Sequence, residues 1–331
     1  MASKKRKKAV AASKPKSRQT PREKLIALLE KPKHDFNGLC NELNVPPKGL
    51  NAMLVDLAKI NVAVEQDKDG RYFIHKVDLD RPEDQIFDHK LKSGTVHRIG
   101  LVSDTHLCSH NQQLTHLKDF YKRCSDAGVT KVYHSGDIFA GDGKVYRGQE
   151  YEIFIAGFDS ALEYGVEYYP NEAGITTYFI TGNHDLSWYQ RGGADIGHAL
   201  ADARNDMKYL GQAGAYVNLT DDIKMYLHHP MGGKSYALSY KLQKFIESLT
   251  PEARPKILAA GHLHSMLYID YLDVKAYMVP CFESQNTFLK RLGLHPVIGG
   301  WILELEVAGQ YIPTIRMDDI TYSEPLEKDW D

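Results

Sequence analysis

The sequence predicts an α/β fold for most of the chain, preceded by a small domain of three helices and a β-hairpin. Two patterns carry this prediction. From residue 98 onwards, short apolar runs first alternate with helical stretches and then follow one another as successive strand-like runs. Several of these runs end at Asp, Asn or His, so polar side chains are expected to collect outside the carboxyl ends of strands.

Five apolar runs are predicted as strands that each deliver a polar residue at the carboxyl end. They span residues 98–103, 131–134, 176–180, 224–227 and 256–260. Helices are predicted at residues 112–127, 150–163, 194–207 and 236–249. Further strands are predicted at residues 266–279 and 299–307. The catalytic or binding domain is therefore expected to span residues 97–331.

Residues 20–76 have a different pattern. A helix is predicted to begin at Pro21, followed by helices at residues 36–43 and 47–60. A hairpin with an Asp69-Gly70 turn follows. Three helices and a hairpin look like a winged helix-turn-helix domain. The charged residues 77–96 are predicted to form a linker or a strap across the next domain.

Bulk properties favour an intracellular protein. The 331 residues include four cysteines, Cys40, Cys108, Cys124 and Cys281, whose spacing indicates neither a disulfide framework nor a zinc knuckle. No apolar run approaches the roughly 20 residues of a membrane span, and no hydrophobic segment follows the basic N-terminus. We expect a cytoplasmic location, or a nuclear one in a eukaryotic host, and no membrane partner.

Charge is distributed unevenly. The first 18 residues hold eight Lys or Arg and no acid, and the remaining 33 basic residues face 43 acidic ones, a net charge of about −10. Residues 1–19 are therefore predicted to form a disordered basic arm. Such an arm binds nucleic acid through counterion release, but it also serves as a solubilising tail or a localisation signal.

Seven potential metal ligands occur in a fixed order. They are Asp104 and His106 in SDTH, Asp137 in SGDIF, Asn183 in TGNHD, His228 in LHHP, and His262 and His264 in GHLH. Each motif alone is a weak signal, because a lone histidine is usually a satisfied surface or core residue. A mixed set of carboxylate, amide and imidazole ligands suits a pair of divalent cations. The complete set therefore predicts a two-metal site.

The ordered set resembles the calcineurin-like metallophosphoesterase superfamily, whose blocks run D-x-H, G-D, G-N-H-[DE], H and G-H-x-H. The resemblance covers roughly residues 97–310 and implies a two-sheet αββα sandwich. It also implies that one metal is held by Asp104, His106 and His264, that the other is held by Asn183, His228 and His262, and that Asp137 bridges both. Mn²⁺ is the favoured ion, with Fe or Zn as alternatives, since the ligand types do not separate them.

The resemblance further implies catalytic roles for two residues. His184 matches a histidine that contacts the scissile phosphate and protonates the leaving oxygen, and Asp185 is placed to orient its imidazole. The expected reaction is in-line attack by a metal-bridging hydroxide. One assignment is open: His228 and His229 are adjacent, and we favour His228 because related phosphatases carry H-Y-P at this place.

The motif surroundings indicate a substrate class. Protein phosphatases of this superfamily read G-D-x-x-D-R-G and G-N-H-E, whereas this chain reads GDIFAGDG and GNHD and lacks that arginine. Arginine is the usual partner of a doubly charged phosphate, so its absence argues against phosphoprotein substrates. The motifs look more like the DNA-repair exonuclease and phosphodiesterase branch. Trp188 and Tyr189 after GNHD are candidates for base stacking, with core packing as the alternative.

The sequence therefore predicts a nuclease or related phosphodiesterase acting on DNA or RNA. Candidate nucleic-acid contacts are Lys4, Lys5, Arg6, Lys7 and Lys8 in the arm, and Lys48 and Asn51 on the third helix. The alternative is hydrolysis of a small molecule or a cyclic nucleotide, with the winged helix used for protein assembly. A binding protein with an inactive phosphoesterase fold is a third reading, which the complete ligand set disfavours.

Overall fold

The computed structural model describes residues 21–29, 33–59, 64–74, 86–89, 91–221, 223–308 and 311–330. The chain divides into two units, Met1–Asp78 and Leu79–Asp331. The predicted basic arm, including Lys4 to Lys8, lies outside the described residues. None of the described helices has the length and apolar character that crossing a membrane requires.

The first unit contains three helices and a hairpin with a core of their own. The elements are α1 (Pro21–Leu29), α2 (Phe36–Leu43), α3 (Pro47–Lys59), β1 (Val64–Gln66) and β2 (Tyr72–Ile74). The strands pair antiparallel, and Leu25, Leu39 and Leu50 are fully buried. The predicted helices and hairpin are thus present, while the winged helix-turn-helix arrangement stays a prediction.

Side chains at the ends of α2 explain its length. Asp35 accepts a hydrogen bond of 2.7 Å from the Gly38 N–H, which satisfies a donor in the first turn. At the other end Asn44 adopts the left-handed conformation with φ 51°, a common way for a helix to end.

The second unit contains two six-stranded sheets. In the first sheet the order is β14-β13-β4-β5-β6-β7. Its strands are β4 (Thr95–Val102), β5 (Lys131–Ser135), β6 (Thr176–Thr181), β7 (Met207–Gln212), β13 (Ile298–Ala308) and β14 (Tyr311–Tyr322). Strands β4, β5, β6 and β7 are parallel to one another. On the other side of β4, β13 pairs antiparallel with β4, and β14 pairs antiparallel with β13.

In the second sheet the order is β11-β12-β10-β9-β8-β3. Its strands are β3 (Ile86–Asp88), β8 (Gly214–Asn218), β9 (Lys224–His228), β10 (Ile257–Ala260), β11 (Leu267–Tyr271) and β12 (Val274–Met278). Strands β9, β10 and β12 are parallel. Because β3 pairs with β8, the predicted linker or strap contributes a strand to this sheet.

Apolar residues of both sheets share one core, which shows that the sheets face each other. Leu101 and Tyr133 of the first sheet lie in the same buried cluster as Met225 and Leu227 of the second. The described helices of this unit are α4 (Leu114–Asp126), α5 (Phe158–Tyr168), α6 (Leu186–Gly192), α7 (Ile196–Ala203), α8 (Tyr240–Ser248) and α9 (Thr287–Arg291). Separate clusters pack α4, α5 and α7 on the first sheet and α8 on the second. This mixed α/β fold with two sheets agrees with the predicted sandwich.

Some element boundaries differ from the sequence prediction. The helix expected at residues 150–163 begins instead at Phe158, after a 3₁₀ turn at Gln149–Tyr151. The strand expected at residues 266–279 is a hairpin of β11 and β12, whose turn residues Leu272 and Asp273 both have positive φ. Strands β7, β8 and β14 were not predicted.

Candidate metal centre

The loops after β4 and β5 bring the first two motifs together. The Asp104 N–H donates to the Gly136 carbonyl at 2.9 Å, and the His106 N–H donates to the Asp137 carbonyl at 3.2 Å. Parallel neighbouring strands end at the same edge of a sheet, so these loops must meet there. The backbone pairing fixes the SDTH and SGDIF segments side by side.

Three overlapping groups of side chains offer converging ligand atoms. They are Asp104, His106 and His264; His106, Asp137 and His184; and Asp137, His229 and His262. Within each group the nitrogen and oxygen atoms lie within 4.8 Å of one another. His106 and Asp137 each belong to two groups, so the three form one continuous cluster.

Asp137 lies at the middle of this cluster. One carboxylate oxygen, Oδ2, is 3.1 Å from His229 Nε2 and 4.0 Å from His106 Nε2. The other, Oδ1, accepts the His184 N–H at 2.8 Å. This position between the two outer groups is the one that a bridging carboxylate needs.

The group formed by Asp104, His106 and His264 is deeply buried. The Nε2 atoms of the two histidines are 3.2 Å apart, and Asp104 Oδ1 is 3.3 Å from His264 Nε2. Asp104 Oδ1 is buried without a hydrogen bond. A buried carboxylate oxygen is normally paired, so this one fits a cation.

Asn183 lies next to the group formed by Asp137, His229 and His262. Its Oδ1 lies 3.2 Å from His229 Nε2, and the His262 ring meets the His229 ring edge-on at 5.1 Å. His262 is tied to the first group through its backbone, because its N–H donates to Asp104 Oδ2 at 2.8 Å. Asn183, His229 and His262 therefore surround one end of the cluster.

The prediction that His228 is the ligand is wrong, because His229 and not His228 lies in the cluster. His228 is the last residue of β9, and its ring stacks on Phe245 of α8 with centroids 4.1 Å apart. His229 is almost fully buried, and its Nδ1 is hydrogen-bonded to the Ser135 carbonyl at 2.7 Å, so its Nε2 faces Asp137. Successive strand side chains point to opposite faces, so only one of the two can reach the cluster.

Backbone strain is concentrated at the candidate ligands. Five of them have positive φ: Asp104 at 51°, His106 at 43°, Asp137 at 57°, His262 at 70° and His264 at 45°. Non-glycine residues adopt this region rarely, and each instance costs on the order of 1–3 kcal/mol. Such conformations are typical of functional sites, where the surrounding structure enforces them.

Glycines allow the cluster to pack as closely as it does. A Cβ on Gly136, which has φ 95°, would lie 2.5 Å from His229 Nδ1. A Cβ on Gly182 would lie 2.6 Å from His229 Nε2. Only glycine fits where the backbone approaches the site at this distance.

Charges within the cluster reinforce one another. Burial opposes ionisation of Asp104 and Asp137, but His264 beside Asp104 and His229 beside Asp137 outweigh it and hold both carboxyl pKa values below their usual range. Burial likewise opposes protonation of His229, yet Asp137 raises its pKa to about 9. Metal binding would replace such protons, as ligation by histidine generally does.

His184 stands beside the cluster with its ring held from behind. Its Nδ1 is 2.8 Å from the Ala140 carbonyl, and its ring meets His106 edge-on at 4.6 Å. Gln149 Nε2 donates to the same carbonyl at 2.7 Å. With the Nδ1 proton donated to Ala140, Nε2 is left to act on a ligand. Sequence reasoning missed Gln149, since no motif marks a residue of this irregular loop.

Asp185 does not orient the His184 imidazole as predicted. Its buried carboxylate instead accepts backbone N–H bonds from Gly182 at 3.0 Å, Ile138 at 3.1 Å and Phe139 at 2.8 Å. Burial raises the pKa of Asp185 to about 7. Asp185 thus joins the loops that follow β5 and β6, because its carboxylate is directed at these amides and not at the imidazole.

Other predicted contacts are resolved as follows. Trp188 is a core residue: only 8% of it is exposed, and its Nε1 donates to the Ala156 carbonyl at 3.0 Å. Of the two alternatives given for Trp188, its burial therefore fits core packing. Lys48 and Asn51 are exposed on α3.

The fold and the site together define a phosphoesterase of the metal-dependent kind. Residues 97–266 match the calcineurin-like phosphoesterase family, and the chain belongs to that family. Its members use divalent metals, and the His and Asp groups described above are the candidate ligands.

Three solved structures are similar over about two thirds of this chain. An archaeal phosphodiesterase is 16% identical with a TM-score of 0.40, covering 67% of this chain and 99% of its own. A predicted phosphoesterase from Streptococcus pneumoniae is 14% identical with a TM-score of 0.34, covering 68% and 99%. Vps29 from Entamoeba histolytica, complexed with zinc, is 12% identical with a TM-score of 0.32, covering 68% and 98%. Comparison with curated proteins gave no match.

Proposed function

We propose that this protein is a two-metal phosphodiesterase that cleaves DNA or RNA. The observation that carries the proposal is the continuous cluster centred on Asp137, with the His184 ring beside it. A cluster of this composition, with ligand sets on both sides of one carboxylate, supports phosphoryl chemistry at a metal pair.

The described residues fit two cations. Asp104, His106 and His264 would hold one, Asn183, His229 and His262 the other, with Asp137 between them. Asp104 Oδ1, which is buried without a hydrogen bond, and the left-handed backbone of five of these residues support this assignment. When bound, such cations neutralise phosphoryl oxygens and lower the pKa of water towards neutrality. Mn²⁺ remains the favoured ion, with Fe or Zn as alternatives.

The chain itself supplies a proton donor. Its best candidate is His184, since the Ala140 carbonyl accepts from Nδ1 and so presents Nε2 towards the cluster. In the doubly protonated ring, the Nε2 proton would pass to the leaving oxygen and leave a neutral imidazole whose Nδ1–H stays on the Ala140 carbonyl, a contribution typically worth about 10²–10⁴-fold in rate. Asp185 positions the loops around this imidazole by holding three backbone amides.

The charge of the site favours a diester over a monoester. Among the described candidate ligands and His184, no hydrogen bond or ion pair involves an arginine or a lysine. Arg191, which follows the GNHD motif, pairs with Asp142 and donates to the Lys144 carbonyl at 2.9 Å. A doubly charged monoester generally calls for a bidentate arginine, whereas a singly charged diester needs less.

Nucleic acid is the proposed substrate because of the N-terminal part of the chain. The arm from Lys4 to Lys8 offers five cationic side chains, and Lys48 and Asn51 are exposed on α3. We propose that residues 20–76 form a winged helix that works with the arm to hold the polynucleotide.

The test is Mn²⁺-dependent hydrolysis of labelled single-stranded and duplex DNA and RNA, with bis-p-nitrophenyl phosphate in parallel. Asp137→Asn and His184→Ala should abolish cleavage, while His198→Ala, at an exposed histidine of α7, should leave it unchanged. Hydrolysis of the small diester with every polynucleotide intact would overturn the nucleic-acid proposal and favour the small-molecule alternative.

A further inference from the structure

Two aromatic rings lead from His184 to the surface. Tyr146 and Phe288 are stacked, with ring centroids 4.5 Å apart and planes inclined by 26°. The Tyr146 ring in turn lies 6.1 Å from the His184 ring, edge-on. Phe288 is 40% exposed. An aromatic ring is therefore open to solvent two ring contacts away from the proposed proton donor.

Polar contacts hold the inner ring in place. The Tyr146 hydroxyl donates to Glu152 and accepts from Asn286 Nδ2 at 3.4 Å. Asn286 also accepts the Leu289 N–H at 2.8 Å and so begins α9, the helix that carries Phe288. The two rings, although 142 positions apart in sequence, are thus tied into one rigid surface.

Phe288 differs in exposure from Trp188, the aromatic residue that closely follows the GNHD motif. Trp188 is buried in the core and offers no open face. Lys290 and Arg291 follow Phe288 on the same helix and are exposed, so the surroundings suit an anionic ligand. An exposed aromatic ring among cations, beside a phosphodiester site, has the features of a base-stacking surface.

We propose that Phe288, supported from behind by Tyr146, stacks on a nucleobase of the substrate next to the scissile phosphate. This inference rests on the proposed function and adds to it a subsite that selects nucleotides over other diesters. Every base has an aromatic face, so the subsite would tolerate sequence differences while rejecting a ligand without a base.

The experiment compares two matched diesters in the full-length protein with Mn²⁺. One is the thymidine dinucleotide TpT, and the other is its abasic counterpart, with 1,2-dideoxyribose in place of both nucleosides. Phe288→Ala should raise KM for TpT by about 5- to 150-fold, the range expected for losing one base–aromatic stack, and leave kcat and the abasic diester unchanged. Phe288→Leu, which keeps apolar volume without an aromatic face, should behave like Phe288→Ala.

A matched control is Tyr311→Ala, which removes an aromatic residue that is 72% exposed on β14. It should change neither substrate. If Phe288→Ala keeps the wild-type preference for TpT, or Phe288→Leu restores it, the stacking subsite is wrong while nuclease activity stands. If the wild-type protein cleaves bis-p-nitrophenyl phosphate but neither TpT nor any polynucleotide, the proposed function fails and the subsite with it.

Discussion

At the scale of single residues, His228 and His229 are adjacent but have opposite environments. Met225 and Leu227 face the core between the sheets, and Tyr226 faces α8, where its ring stacks on Phe245. His228 continues the face of Tyr226. His229 lies beyond the end of the strand and turns back towards Asp137.

This difference gives the first prediction. Removing a residue that only orients a metal ligand typically lowers metal affinity by about 10–100-fold. His229→Ala removes a candidate ligand itself, so it should lower Mn²⁺ affinity by more than this. His228→Ala should leave affinity nearly unchanged and lower stability instead, because it removes the stacking on Phe245. Isothermal titration with Mn²⁺ measures both. Equal losses of affinity in the two variants would show that His229 is not the ligand.

Asp185 gives the second prediction. Asp185→Asn keeps the shape but cannot accept three N–H bonds as a carboxylate does, so the free energy of unfolding should fall by about 1–3 kcal/mol. The pH profile of kcat should keep its shape, because the His184 imidazole contacts Ala140 and not Asp185. If Asp185→Asn shifts the pKa of His184 in that profile, Asp185 does orient the imidazole as the sequence predicted.

The sequence could identify the ligand types but not every ligand. Asp104, His106 and Asp137 follow recognisable strands, so their meeting could be predicted, because ligands in an open α/β sheet collect outside the carboxyl ends of its strands. The choice between His228 and His229 depends on which face of β9 turns towards the other sheet, and adjacent residues alone do not reveal this. The Ala140 carbonyl that holds His184 is a backbone group and leaves no mark in the sequence.

At the scale of elements, β3 shows how a charged segment can become part of a sheet. His89, directly after β3, lies against Tyr178 with ring centroids 4.0 Å apart, and its Nδ1 is 2.8 Å from the Tyr133 hydroxyl. Burial, aided by Lys131, lowers the His89 pKa to about 4. The neutral ring is therefore the form that fits the fold.

The third prediction follows from the sign of this shift. Between about pH 6.5 and pH 4 the unfolded chain binds a proton at His89 that the folded protein resists, so stability is present above pH 6.5 and lost as the pH falls. Urea unfolding should show that the difference in stability between wild type and His89→Gln shrinks by about 1 kcal/mol from pH 7 to pH 5. His198→Gln controls for histidines in general. A difference that stays constant with pH would contradict the assignment.

Elements with strong local signals were predicted and those with weak signals were not. Strand β10 is apolar throughout and fully buried, so its sequence alone indicates a strand. The turn between β11 and β12 has only a weak sequence signal, because Leu272 and Asp273 occupy left-handed positions without the usual glycine or asparagine.

At the scale of the whole molecule, the candidate centre needs both sheets of the second unit. Asp104, Asp137 and Asn183 follow strands of the first sheet, whereas His229, His262 and His264 follow strands of the second. The packing of one sheet on the other therefore sets the spacing of the ligands. The order of strands within each sheet could not be read from the sequence, since it depends on long-range pairing.

The fourth prediction concerns the chain as a whole. Replacing the five basic residues from Lys4 to Lys8 with Gln should make polynucleotide affinity less dependent on salt, lowering the slope of log K against log salt by about 4. Lys48→Gln should lower it by about 1. Fluorescence anisotropy at several salt concentrations measures both. An unchanged slope in the arm variant would mean that the arm does not bind nucleic acid.

The position of β13 has a consequence for how the protein is made. This strand lies between β14 and β4, and Arg98 of β4 pairs with Glu304 of β13 across 206 positions of sequence. Strand β4, which leads to Asp104, is thus synthesised long before this neighbour. Pairings of such high contact order form slowly, and until then β4 presents an open edge on which other chains can add. Chains that stop before residue 298 should therefore be prone to aggregate.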